Sequence, residues 1–212
     1  LSTVDITFPL EVMGNFDSAG MFRWCEQLPS IDVVFPETVE GEFYGYSMFN
    51  SCPSLASVGA SFPVSVGGSF EPFNIRNNAL TTIAFLDYPE TVGGTFYACT
   101  FTSCTALHSV PPIDFPPFIN GPFYGKEVFK GCSALYSPPP ITFPRTVTGR
   151  FDAREFFSGC PFSTTPSIAF PDSVGAITAG GGTDGFFRYC SNLITISGGM
   201  SGEGACSYHP YG

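Results

Sequence analysis

The sequence predicts a repeat solenoid of short parallel β-strands, with turns, single helical turns and little regular α-helix. Three observations predict it. A Phe-Pro step recurs every 26 to 28 residues, a Phe-x-x-Cys-x-x-Leu signature runs in phase with it, and the composition favours short straight pieces. Gly 24, Pro 20 and Phe 24 in 212 residues, with only 12% charged, mean frequent turns and an aromatic filling.

The Phe-Pro step falls at Phe8, Phe35, Phe62, Phe115, Phe143 and Phe170, with Tyr88-Pro89 completing the series. The second signature reads MFRWCEQL (21 to 28), MFNSCPSL (48 to 55), FTSCTAL (101 to 107), FKGCSAL (129 to 135) and FRYCSNL (187 to 193). Two copies are degraded: FSGCPFS lacks its Leu, and FNIRNNAL places Asn77 where Cys is expected. Gly14, Gly41, Gly68, Gly94, Gly121, Gly149 and Gly175 recur after the Phe-Pro step, and Phe16, Phe43, Phe70, Phe96, Phe123 and Phe151 follow the first six of them.

The apolar residues between the signature's Leu and Phe-Pro have the near-alternating burial of a strand, and Pro ends it by removing a backbone donor. Val-x-Gly-x-Phe gives a second extended piece with a bend at Gly, and Phe-x-x-Cys suits a single helical turn. One such unit cannot bury its apolar side, whereas units stacked at ~4.8 Å share a continuous core. Residues 1–197 are expected to form about eight repeats of 25 to 30 residues, with 198–212 a Gly- and Ser-rich coil or linker. The first unit starts in mid-repeat, because Leu1-Ser2-Thr3-Val4 superposes on Leu28-Pro29-Ser30-Ile31.

Phe-x-x-Cys-x-x-Leu-x-Ser/Thr-Ile followed by Pro and a Val-x-Gly turn resembles the BspA-type (Treponema pallidum-type) leucine-rich repeats, and is similar to the Met-Phe-x-x-Cys-x-x-Leu repeats of mycoplasma surface lipoproteins. The resemblance implies a leucine-rich-repeat-like solenoid and a role at a cell surface or outside the cell, in adhesion or host-matrix binding. This chain departs from that family in its longer unit and its Phe-Pro corner.

Cys25, Cys52, Cys104, Cys132, Cys160 and Cys190 share one repeat position and are expected to form an inward ladder. Small buried thiols are the favoured reading. Disulfides between rungs and a metal site are the alternatives, the latter with no zinc-like Cys/His spacing to support it. Cys99 and Cys206 lie off the ladder and are the candidates for a bridged or reactive pair.

A hydroxyl stands two residues after each Leu, at Thr3, Ser30, Ser57, Thr82, Ser109, Ser137, Thr165 and Thr195, which predicts a ladder of mutually satisfied side chains. An ordered-water face is the sharper alternative. The position before it varies, and His108, Tyr136, Thr81 and Thr164 on that position are the candidate ligand face.

A formal charge of -10 with two lysines and six arginines excludes a phosphate-backbone partner. No apolar run reaches the ~20 residues of a membrane span, and the first residues lack a signal peptide's pattern. Glu37, Glu40, Glu42, Glu90, Asp5, Asp32 and Asp114 read as a solvated acidic face without a calcium pattern. Two scattered histidines, no Gly-x-Ser-x-Gly elbow and no phosphate-loop Lys in GGGTDG (180 to 185) point away from an enzyme and from a bound cofactor. Two functions are expected: recognition or adhesion, binding protein or glycan on another surface, or a building block of an extracellular filament that binds further copies of itself end to end.

Overall fold

A computed structural model describes residues 6–77, 79–162, 167–176, 183, 185–188 and 190. Within them the chain winds as a parallel β-solenoid of about six turns, with no helix among the described residues. Each coil contributes up to three straight pieces. The first is longest in the early coils, where Ser30–Val34, Ser57–Ser61 and Thr82–Asp87 pair in parallel. It shortens to Ile113–Asp114, Ile141–Thr142 and Ile168–Ala169 in the later ones, and a Thr82↔Ser109 bridge marks the transition.

Past the Phe-Pro corner, Glu11–Val12, Thr38–Val39, Ser65–Val66, Thr91–Val92 and Phe118–Ile119 stack as the second face. Phe16–Asp17, Phe43–Tyr44, Phe70–Glu71, Phe96–Tyr97 and Phe123–Tyr124 stack as the third. Thr146–Asp152 runs unbroken through both faces and joins them into one sheet.

The repeat's two Phe positions become two columns of rings. The Phe-Pro rings stack coil upon coil, Phe35 on Phe62 at 5.3 Å and Phe115 on Phe143 at 5.4 Å, and Tyr88 takes its place between Phe62 and Phe115. The third-face rings stack likewise, Phe70 on Phe96 at 5.2 Å and Phe96 on Phe123 at 5.5 Å. The columns meet edge to face, as in Phe35 against Phe43 at 88°, so each ring gains both offset-stacked and T-shaped partners.

Between the second and third faces the backbones come too close for any side chain. Gly41, Gly68 and Gly94 each donate an N–H to the glycine carbonyl one coil back, at 3.1, 2.8 and 3.0 Å. A Cβ on Gly121 would lie 2.6 Å from the Gly94 oxygen. Gly is therefore required here by backbone approach. Gly175 is a correction to the sequence register: it packs on Thr148, because Val174 pairs with Val147 but Ala176 with Arg150, and that coil is one residue short.

Where the sequence suggested a single helical turn, Phe-x-x-Cys is enclosed by paired reverse turns. Left-handed residues stand on both sides of the Phe: Gly20 and Trp24, Ser47 and Ser51, Glu127 and Gly131, Glu155 and Gly159, with φ between 52° and 77°. Left-handed residues so close together stop a helix from propagating.

Candidate functional site

The cysteine ladder lies inside the solenoid. Cys52, Cys104, Cys132, Cys160 and Cys190 are buried and Cys25 partly so, all as free thiols. Each buried thiol donates to a carbonyl one coil back: Cys52 to Phe22 at 3.0 Å, Cys132 to Phe101 at 3.1 Å, Cys160 to Phe129 at 3.1 Å and Cys190 to Phe157 at 3.1 Å. Burial pushes the Cys104 thiol up to about 11 and that of Cys132 up to about 12, and Cys160 higher still. Such thiols are protonated at neutral pH and are weak nucleophiles and weak metal ligands.

Cys99, expected as a reactive or bridged partner of Cys206, is fully buried, and that burial raises its thiol pKa strongly. Its backbone N–H donates to the Tyr88 hydroxyl at 2.9 Å. The one Tyr in the Phe-Pro column thus has a polar partner, which sequence spacing did not reveal. Cys206 lies outside the described residues.

On the candidate ligand face, Pro29, Ala56, Thr81 and His108 form a backbone ladder, with N–H···O distances of 2.8 Å (Ala56 to Pro29), 2.9 Å (Thr81 to Ala56) and 3.1 Å (His108 to Thr81). Thr81 Oγ1 also donates to the Ala56 carbonyl, which leaves it half-buried and occupied. His108 is exposed with Nδ1 3.0 Å from the Ala106 carbonyl oxygen. Tyr136 is 58% exposed, but its N–H turns to Ala134 and leaves the ladder. Thr164 lies outside the described residues. Ser30, Ser57, Thr82 and Ser109 stand in register, while Thr3, Thr165 and Thr195 lie outside.

Glu37, Glu40, Glu90, Asp32 and Asp114 are exposed as expected, and Glu42 is half-buried and accepts the Tyr44 hydroxyl. Asp5 lies outside the described residues. One carboxylate departs from that pattern. Asp152 is 2% exposed and held by Arg154, whose Nε and Nη2 donate at 2.9 and 2.7 Å, and by Arg150 at 3.2 Å. Along the turns, Lys130 joins Glu127 at 3.3 Å and Glu155 at 2.5 Å, and the Lys126 and Lys130 partners outweigh burial to lower the Glu127 pKa.

A cleft of about 1030 Å³ opens across the turns of the first four coils, and the length of those turns creates it. The step from the third-face Phe to the ladder position is nine residues from Phe16 to Cys25, Phe43 to Cys52, Phe123 to Cys132 and Phe151 to Cys160. It is seven from Phe70 to Asn77 and eight from Phe96 to Cys104. No described residue between Phe70 and Asn77 has a positive φ, and only Ser103 does in the next coil, so these two coils lose turns that their neighbours project outward.

The contraction shifts the repeat. Ile75, not Phe73, takes the ladder's Phe register, since its N–H donates to Thr100 O as that of Phe101 does to Val128 O, and the Cys104 thiol faces its carbonyl at 3.6 Å. Phe73 becomes an extra ring packed edge-on against Phe49 at 77°. Asn77 secures the shortened turn: Nδ2 donates to the Cys52 and Leu55 carbonyls at 2.8 and 3.0 Å, and Oδ1 accepts the Ala79 N–H at 2.9 Å.

Side chains that leave the floor of this cleft are polar and unpaired. Asn74 and Arg76 are exposed and have no side-chain hydrogen bond or ion pair among the described residues. Ser47, Asn50, Ser51, Thr100, Thr102 and Ser103 surround them. Trp24, the single Trp of the chain, stands at one wall, 63% exposed, with the Arg23 guanidinium 5.4 Å from its ring centroid. It occupies a left-handed backbone position at φ 65°, which Ser51, Ser103, Gly131 and Gly159 occupy in other described coils. Among the described residues there is no group of three His, Cys, Asp or Glu able to hold a metal ion, and no helix long and apolar enough to cross a membrane.

The fold and this cleft define the chain as a parallel β-solenoid with one interrupted edge. No family model matches the chain, and no curated protein or solved structure matches it.

Proposed function

We propose that this chain is a non-catalytic recognition module that acts outside the cell or at a cell surface, binding protein or glycan through the side of its solenoid. One observation carries the reading: the inward columns of Phe and Cys and the glycine bend recur from coil to coil with few substitutions, such as Tyr88 and Asn77, while the outward positions and the turn lengths change freely. A chain selected only to form a rod has no need to vary there. A repeated scaffold that carries a local, non-repeated surface is how solenoids bind partners. The resemblance to BspA-type repeats points the same way.

The test is binding of the purified chain to immobilised cell-surface glycans and extracellular-matrix proteins. Saturable binding to a defined subset supports the reading. A folded chain that binds none of them contradicts it.

A further inference from the structure

We infer that the cleft over the two shortened coils is a carbohydrate-binding site, with Trp24 as the surface on which a sugar ring lies and Asn74 and Arg76 as its principal hydrogen-bonding groups. This rests on the recognition reading and assigns it a place and a ligand class.

The composition of the cleft selects the class. A sugar offers an apolar C–H face and a rim of vicinal hydroxyls, so its binding site needs an exposed aromatic plane beside planar amides or a guanidinium that span two oxygens. Trp24 supplies the plane, amphipathic and rigid. Asn74 presents a donor pair and an acceptor, Asn50 a donor pair beside an oxygen that accepts the Ser51 hydroxyl at 3.4 Å, and Arg76 presents a rigid fork of donors. Thr100 and Ser103 add hydroxyls on the opposite wall. A peptide partner would instead need a desolvated apolar pocket for an anchor, and Phe49 and Ile75, which line the floor, are 4% and 2% exposed and committed to the core. Strand addition needs a free sheet edge, but the cleft runs across the coils, whose backbone groups bond from coil to coil, as Ile75 does to Thr100 and Trp24 to Asn50 at 3.0 Å.

The position of Trp24 is the second, independent observation. A bulky residue held at φ 65° is disfavoured by about 1–2 kcal/mol relative to glycine. Ser51 and Ser103 occupy the same position at φ 62° and 58°, and Gly131 and Gly159 occupy it without strain, so Trp24 is the largest side chain held there among the described residues. Strain kept at a solvent-exposed site beside a cleft points to function.

Arg76 is one of eight cationic side chains in a chain of net charge -10, and no acidic partner neutralises it among the described residues. The glycans tested must therefore include carboxylated sugars as well as neutral ones.

The experiment titrates the full chain with neutral, N-acetylated, uronic-acid and sialylated oligosaccharides, following the emission of its single Trp, and repeats positive titrations by calorimetry on Trp24→Gly and Arg76→Ala. Trp24→Gly relieves backbone strain and Arg76 is exposed, so both variants fold, as circular dichroism would verify. The expected result is a saturable emission change with at least one glycan, weakened at least about tenfold in both variants. No saturable change with any glycan overturns the inference, as does glycan binding that both variants retain. If the variants keep their binding to immobilised surfaces, the cleft is wrong and the recognition role stands. If the parent chain binds no surface at all, both fail. Selection of linear peptides that bind the parent and lose both variants would replace the carbohydrate by a protein partner.

Discussion

The Tyr88 hydroxyl accepts the backbone N–H of Cys99 at 2.9 Å, so the one departure from Phe in the Phe-Pro column is matched by a polar group eleven residues on. Replacing Tyr88 by Phe restores the repeat residue yet leaves a buried N–H unsatisfied. The expected loss is about 1–3 kcal/mol. Urea unfolding of Tyr88→Phe measures it, and an unchanged midpoint would mean that the bond contributes nothing.

The left-handed position before Cys25, Cys52, Cys104, Cys132 and Cys160 predicts the sign of paired substitutions. Ser103 sits there at φ 58° and Gly131 at φ 75°. Ser103→Gly should be neutral or stabilising, and Gly131→Ala destabilising by about 1–2 kcal/mol. Space does not decide it, because a Cβ on Gly131 would have its nearest neighbour at 3.4 Å. Thermal midpoints of the two variants should move in opposite directions, or only the second should fall.

The glycine stack depends on space alone. Gly121→Ala places a Cβ 2.6 Å from the Gly94 oxygen, backbone against backbone. Neither side can swing away, so the expected cost is at least about 2 kcal/mol. Gly14, with nothing within 4 Å of its Cβ position, is the control, and Gly14→Ala should leave the midpoint within about 0.5 kcal/mol.

The buried thiols make stability fall in alkali. Unfolded cysteines ionise near 8.5, whereas burial holds Cys104 protonated to about 11 and Cys132 to about 12. Their contribution is complete below pH ~8.5 and is lost as the pH rises towards those folded values, because only the unfolded chain releases the protons. Each thiol adds a downward slope approaching about 1.4 kcal/mol per pH unit. Cys132→Ala should be less steep than the parent between pH 9 and 11, in unfolding midpoints taken at fixed salt.

How far the sequence could be read follows from which residues carry the order. Phe35, Phe62 and Tyr88 are spaced evenly, and their even spacing is the stack itself, so the fold was legible. The Cys ladder was legible for the same reason. The repeat marks Asn77 as standing in a cysteine's place, but its three hydrogen bonds, which secure a shortened turn, leave no mark in the spacing. Residue identity points to His108 and Tyr136 as the candidate ligand face, whereas the cleft arises from the number of residues in the turns. Counting from Phe70 to Asn77 and from Phe96 to Cys104 against the other coils would have located it. Asp152 gave no such signal, because its two arginines approach from the same strand and the turn after it.

On the proposed reading, the interruption of this solenoid, not its repetition, makes the binding site. Two in-register deletions of one coil each separate interruption from repetition: removal of 65–90, which takes out the shortest turn with Asn74, Arg76 and Asn77, and removal of 118–145, which takes out a coil whose turn has the regular length. Glycan and surface binding, measured on both folded proteins, should disappear with the first and survive the second. Survival in both, or loss in both, would contradict the claim.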